Sequence, residues 1–274
     1  MKRVAVINDL SGLGRCSLTA AISVISCLGL EACPLPTAIL SNQTEYSSFF
    51  MDDYTDKMDF IIEEWKKLHI GFDAILTGFL ANEQQTYIVE RFIEIFKKEN
   101  TLLVVDPVMG DDGCKYKTCT ENLCLKIKDL AFKGDIITPN ITEACILLDK
   151  KIDTQVDLRT AHAYAKELML KGPSRVVITG VVQKDRIFNI VGENGETDEV
   201  SAKLTSGSFS GTGDLFSSVL TAGMLKGNRT FKEVVETAVG FIEKSAQSAS
   251  RSNADPNDGI PYEKYLSLLW SEFN

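Results

Sequence analysis

With 274 residues, 44% of them hydrophobic and 24% charged, the chain has ordinary globular composition, and its length suits a single α/β domain. Its 29 Lys and Arg against 38 Asp and Glu give a net charge of −9, with no basic run. This argues against nucleic acid or an anionic membrane as the main partner, and no apolar run approaches the roughly 18 residues of a spanning helix.

The first apolar run, 4–7, reads as a buried strand and is too short for a signal peptide. Helical periodicity follows over 13–28 and stops at Gly29. A strand is predicted over 31–35, a helix over 57–68, and a strand over 72–77 ending at Gly78. An amphipathic helix over 83–98 leads to a buried strand over 102–105, stopped by Asp106-Pro107. After a Gly/Asp/Lys loop come a helix over 120–131, a strand over 135–138 and a helix from 140. A further helix spans 158–170 and a further strand 176–179. Strands and helices that alternate in this way predict a mostly parallel sheet with helices on both faces. The pattern changes at 186–203, where alternating residues around Asn194-Gly195 predict a small antiparallel hairpin. Helices over 213–226 and 231–250 and a short one from 261 close one domain over 1–274.

In open α/β sheets a ligand sits beyond the carboxyl ends of the strands. Asn8 and Asp9, Thr37, Gly78 and Phe79, Asp106, Asn140, and Thr179 with Gly180 directly follow the predicted strands, so they share one edge. Gly211-Thr212-Gly213-Asp214 can share it too. Behind that stretch Leu215, Phe216, Val219, Leu220, Met224 and Leu225 recur at helical spacing, so a glycine loop opens into a buried helix. Free N–H groups and the helix dipole bind an anion there, and glycines let backbone approach it closely. A carboxylate beside a phosphate repels it, which points to Asp214 as a base for an attacking hydroxyl. The plainer reading is an acidic first-turn residue, favoured by about 0.3–1 kcal/mol through the dipole. These four residues leave both readings open.

Asn140 and Glu143 have the spacing of an N-cap and its N3 partner, a capping box. Asp106 and Glu143 could instead hold water around Mg²⁺, and an N3 Glu at a strand-to-helix turn can do both. Gly12-Leu13-Gly14-Arg15-Cys16-Ser17, with Glu31 as ribose acid, fits a dinucleotide fingerprint poorly, because its first Gly is displaced from the strand and its third is Ser17. It more simply makes a turn near a ligand. The 7 cysteines are never spaced C-x-x-C and only His69 and His162 accompany them, which predicts free thiols in a reducing cytoplasm rather than zinc. His69 reads as a helix-end residue and His162 as a solvated one, leaving acid–base work to carboxylates or lysines.

Several stretches together carry a family signature. They are Pro34-Leu35-Pro36-Thr37 with Ser41-Asn42-Gln43-Thr44-Glu45-Tyr46, Asp73–Leu80, Val105–Gly110, Asp135–Asn140 with Glu143, and Gly211–Asp214. The chain resembles the ribokinase-like superfamily and, within it, the pyridoxal kinases; the last three motifs are shared with hydroxymethylpyrimidine kinases. The resemblance implies a ribokinase-like fold and ATP-dependent phosphorylation of the 5′-hydroxymethyl of pyridoxal, pyridoxine or pyridoxamine. It makes Asp214 the general base and Gly211, Thr212 and Gly213 the anion hole. Asp106, Asn140 and Glu143 serve Mg-ATP, the two carboxylates through water, with Thr179 and Gly180 near the nucleotide. Asp9 and Thr37 hold the polar edge of the ring and Phe79 its face. A homodimer is implied, and a monovalent cation such as K⁺ is an optional further cofactor. Two positions depart from the pattern: Asp9 replaces a common Ser, and Phe79 a common Tyr. Hydroxymethylpyrimidine (phosphate) kinase is the alternative activity, and a vitamer-binding module without turnover the alternative class.

Overall fold

The computed structural model describes residues 1–205, 209–252 and 255–274. The chain runs β1 (Arg3–Ser11), α1 (Ser17–Cys27), β2 (Glu31–Leu40), β3 (Met51–Asp53), α2 (Thr55–Lys67), β4 (Ala74–Thr77), α3 (Glu83–Phe96) and β5 (Leu102–Val105). A small ribbon follows, β6 (Gly110–Asp111) and β7 (Cys114–Lys115), then α4 (Glu121–Ala131), β8 (Ile136–Ile137), α5 (Ile141–Leu147) and α6 (Leu158–Met169). The last elements are β9 (Arg175–Gln183), β10 (Arg186–Glu193), β11 (Glu196–Lys203), α7 (Thr212–Lys226), α8 (Phe231–Arg251) and α9 (Leu266–Phe273).

A nine-stranded sheet in the order β11-β10-β9-β8-β5-β4-β1-β2-β3 organises the molecule. The run from β2 to β9 is parallel throughout, and β3, β10 and β11 are antiparallel additions at the two edges. Successive side chains of a strand face opposite sides, and β1 shows the consequence. Val4 and Val6 enter a core beneath α1, α7, α8 and α9, while Ala5 and Ile7 enter a second core beneath α2 to α6. That two-sided cover is the mostly parallel, ribokinase-like arrangement expected from the sequence.

Several elements run longer than their sequence pattern suggests. β1 continues to Ser11 past a register shift between Asn8 and Leu10, so Asn8 and Asp9 lie within the strand. β2 continues to Leu40 because β3 pairs with Ala38–Leu40, which puts Thr37 inside it. Its Pro34 and Pro36 are tolerated because β3 does not reach them and their missing N–H groups face the uncovered side. β9 runs on to Gln183 because β10 folds back along it, so Thr179 and Gly180 also lie mid-strand. Gly180 has φ +79 at an irregularity opposite Phe188–Ile190, a β-bulge where the strand leaves its parallel neighbour. The hairpin forms as expected, with Asn194 and Gly195 both at positive φ (52 and 85), the type I′ requirement. α1 starts at Ser17, not near residue 13, because Gly12–Cys16 is an anchored loop: Gly12 N–H donates to Leu40 O (2.9 Å) and Arg15 N–H to Asp258 O (3.1 Å). No helix among the described residues is long and apolar enough to cross a membrane.

Candidate active site

α7 carries the centre of the site. Its interior face from Leu215 to Gly223 is buried, so the helix is fixed between the sheet and α1 and α8, and its N-terminus meets the carboxyl ends of the strands. Gly211 is the N-cap, at φ 79. That glycine is required by two things: its left-handed backbone, and the Arg15–Cys16 loop, since a Cβ there would lie 2.8 Å from Cys16 Cα. The Gly12–Cys16 segment therefore closes against the start of α7 rather than cradling a dinucleotide. The Arg15 guanidinium is taken by Glu263 (2.7 Å) and Asp258 O (3.3 Å).

Asp214 lies in the first turn of α7. Its Oδ1 accepts a hydrogen bond from Asn8 Nδ2 at 2.9 Å, and the backbone N–H of Ser17, the first residue of α1, faces it closely enough to favour its charged form. Two helix N-termini thus converge on one carboxylate. Ser17 sits at φ 51, a left-handed conformation that a serine holds only where its surroundings demand it. The group keeps some access to solvent, yet burial pushes its pKa from 3.8 to about 6, with the nearby Asp9 charge adding to the rise and the Ser17 and Asn8 donors opposing it. Two donors leave lone pairs free on a carboxylate, so Asp214 can accept a further proton from a hydroxyl.

The neighbouring groups follow the edge of the sheet. Asp9 is 6% exposed, accepts from Ser11 Oγ at 2.9 Å, and has its pKa raised by burial. Thr37 is fully buried; its hydroxyl donates to Phe79 O at 2.9 Å, so it lies behind Phe79 and fixes that residue's backbone. Phe79 is only half-buried, and its N–H donates to Asn8 Oδ1 at 2.9 Å. On the other side of α7, Asp106 faces Gly213, whose added Cβ would stand 3.8 Å from Asp106 Oδ2. Burial first, and then the Asp214 charge, drive the Asp106 pKa up to about 7.

Glu143 and Asn140 form the capping box: Glu143 N–H donates to Asn140 Oδ1 (2.9 Å) and Asn140 N–H to Glu143 Oε2 (2.9 Å). Glu143 does more than cap. Its Oε1 accepts Met109 N–H at 3.1 Å, and Asn140 Nδ2 donates to Gly110 O at 2.8 Å, so the pair holds the 109–110 chain over the site. Burial, then the Asp106 charge, raise the Glu143 pKa well above the ordinary carboxyl value. Thr179 joins this end by bridging to Asn140 as a parallel neighbour, while Gly180, one residue on, is exposed. His69 and His162 stand apart, at the end of α2 and on α6 facing Glu199 (3.7 Å).

Buried carboxylates that repel one another are unstable company without a cation. Asp106 and Glu143 offer oxygen ligands only, which suits Mg²⁺. Among the described residues no group of three or more His, Cys, Asp or Glu is placed to hold a metal, so an ion here would take water and phosphate oxygens for the rest of its shell. That is how Mg²⁺ is ordinarily held in nucleotide sites.

Residues 14–258 match the phosphomethylpyrimidine kinase family. The chain belongs to that family. As such a kinase, of ribokinase-like fold, it transfers a phosphoryl group to an alcohol acceptor. Among solved structures, a candidate phosphomethylpyrimidine kinase from Bacteroides thetaiotaomicron, crystallised with pyridoxal, superposes with a TM-score of 0.94 at 37% identity, covering 98% of this chain and 95% of that one. A pyridoxal kinase from Leishmania donovani, in complex with ADP and pyridoxamine, shares the fold with a TM-score of 0.87 at 22% identity, covering 98% and 96%. The pyridoxal kinase PdxY of Vibrio vulnificus is 26% identical over 96% of this kinase and 98% of its own length.

In this family member two neighbours that favour the charged form of Asp214 were not singled out in the sequence. Asn8 was visible only as one polar residue after a strand, and Ser17 only as the wrong residue for a third glycine. A polar side chain at the end of an otherwise buried strand was the available signal for Asn8.

Proposed function

We propose that this kinase phosphorylates the 5′-hydroxymethyl group of a vitamin B6 vitamer with ATP, and that Asp214 is the general base. The observation that carries the reading is a carboxylate with spare lone pairs, held by Asn8 and faced by the Ser17 N–H in the first turn of α7, where backbone N–H groups await an anion. The Bacteroides relative that holds pyridoxal supports the choice of substrate class.

In the proposed step the vitamer's 5′-oxygen attacks the γ-phosphorus of ATP in line with the bridging oxygen. The new O–P bond forms as the bond to the β,γ-bridging oxygen breaks, and ADP leaves. The hydroxyl proton passes to Asp214. Such a transfer needs positioning and charge stabilisation more than covalent help. The N–H groups at Gly211, Thr212 and Gly213 take up charge on the moving phosphoryl group. Asp106, Asn140, Glu143 and Thr179, with Gly180 beyond them, form the nucleotide side of the cleft. Asp106 and Glu143 would hold Mg²⁺ through water, and the ion would neutralise charge on the phosphates. Asp9 and Phe79 form the vitamer side, Phe79 braced from behind by Thr37.

Two outcomes follow. Asp214 must be ionised to act, and its pKa stands at about 6. A log–log plot of kcat/KM against pH should therefore bend near 6 and fall about tenfold per unit below it, since that ratio reports the free enzyme. A flat profile down to pH 5 would contradict the assignment. Asp9, a buried carboxyl with only hydroxyl and backbone partners, favours a cation such as a protonated ring nitrogen or the amine of pyridoxamine. Comparing kcat/KM for the three vitamers should show pyridoxamine preferred. A preference for pyridoxal of tenfold or more, about 1.4 kcal/mol, would sink that role.

A further inference from the structure

Asn8 makes more contacts at this site than any role in binding a ligand explains. Its Nδ2 donates to Asp214 Oδ1 at 2.9 Å, while its Oδ1 accepts the N–H of Asp9 at 3.0 Å and of Phe79 at 2.9 Å. The backbone donors settle the amide's orientation: the oxygen must face them, so the NH₂ must face the carboxylate. Gly78 seals the arrangement. A Cβ at that position would lie 2.5 Å from Asn8 Nδ2 and 2.7 Å from its Cγ, so only glycine leaves the amide its place. The Gly78 N–H is in turn tied to Ile7 O at 2.8 Å, which fixes this turn to β1.

We infer that Asn8, locked by Gly78 and by two backbone donors, is a positioning residue that aims the Asp214 carboxylate at the acceptor hydroxyl. The inference rests on the reading of Asp214 as the base. The hydrogen bond on Oδ1 fixes one oxygen of the carboxylate and so restricts how its plane can turn. The same amide ties that geometry to Phe79, so the base and the surface beneath the vitamer ring move as one unit. Misplacing a reacting group by an ångström can cost about 10²-fold.

The test uses the full-length kinase and compares kcat, KM and Tm for Asn8→Asp, Asn8→Ala, Gly78→Ala, Asp214→Asn and the Asn8→Ala/Gly78→Ala pair. Asn8→Ala removes the donor to Asp214 without adding charge, while Asn8→Asp keeps the shape and the acceptor oxygen but sets a second acid against that carboxylate. Each should lose about 10- to 100-fold in kcat per folded molecule, with KM for ATP within threefold of wild type. A structural role alone would lower Tm and leave that split unmoved. Gly78→Ala should lose about tenfold in the wild-type background and little more once Asn8 is Ala, because the two act through one amide. A folded Asn8→Asp or Asn8→Ala enzyme with kcat within threefold of wild type overturns the inference, and so does full additivity of the two alanines. Asp214→Asn separates the two levels. If it stays active, the base assignment fails. If it is inactive while the Asn8 variants are normal, only the positioning role fails.

Discussion

Asp214→Asn is expected to lower kcat by about 10²–10⁴-fold, the usual contribution of a positioned general base, while ATP binds nearly as well. The amide keeps the size of the carboxyl and can still accept the Asn8 donor through its oxygen, so the loss reports missing basicity rather than a collapsed site. Stability should move the other way. Burial raises the carboxyl's pKa from 3.8 to about 6, so the folded protein binds this proton more tightly than the unfolded chain does. Whatever stability that proton confers is present below about pH 3.8 and is lost as pH rises through about 6. At pH 8 the ionised, half-desolvated group is a liability. The Asn variant should therefore melt higher than wild type at pH 8, with the gain shrinking at pH 5. Thermal scans at the two pH values, run beside the kinetics, read both effects. An Asn variant within threefold of wild-type kcat would remove Asp214 from the role.

Gly211→Ala should be the most damaging single methyl in the site. Its φ of 79 lies where an alanine is strained, and the added carbon would press on the Arg15 carbonyl and on Cys16 Cα at 2.8 Å. The left-handed backbone costs about 1–3 kcal/mol, and the overpacking about 1–3 kcal/mol more. Neither neighbour can retreat easily, since Arg15 N–H is bound to Asp258 O, its guanidinium to Glu263, and Cys16 O to Ala20 N–H in the first turn of α1. Relief by tilting the first turn of α7 would carry the anion-binding N–H groups with it. The expected result is a lower denaturant midpoint with an unchanged m-value, together with a kcat loss of 10²-fold or more. Gly195→Ala, in the β10–β11 turn beside the Arg175 end of β9 and away from Thr179, is the control: that glycine also has a positive φ (85), but nothing stands within 4 Å of its Cβ. It should show only the backbone cost.

Much of this architecture is legible in the chain because its physical causes are local. Apolar runs such as Leu102–Val105 and helical repeats such as Glu83–Phe96 carry their own periods, and Asn194-Gly195 dictates its turn. Asn140 and Glu143 announce a capping box, and the structure forms one that also reaches Met109. What stays hidden depends on distant partners. β3 has three residues and exists only because β2 offers it an edge. β1, β2 and β9 outrun their apolar cores because neighbouring strands continue the ladder. The bond from Asn8 to Asp214 spans 206 positions, and no spacing rule could find it. Gly211 looks like an anion-loop glycine, yet the carbonyl of Arg15 is a second reason for it that only the folded chain reveals.

Product analysis after incubation with ATP, offering pyridoxal, pyridoxine, pyridoxamine and hydroxymethylpyrimidine side by side, tests the central claim most directly. The account predicts vitamer 5′-phosphate and ADP in equal amounts, with kcat/KM for the best vitamer at least tenfold above that for the pyrimidine. Faster phosphorylation of the pyrimidine, or binding of the vitamers with no ADP released, would contradict it.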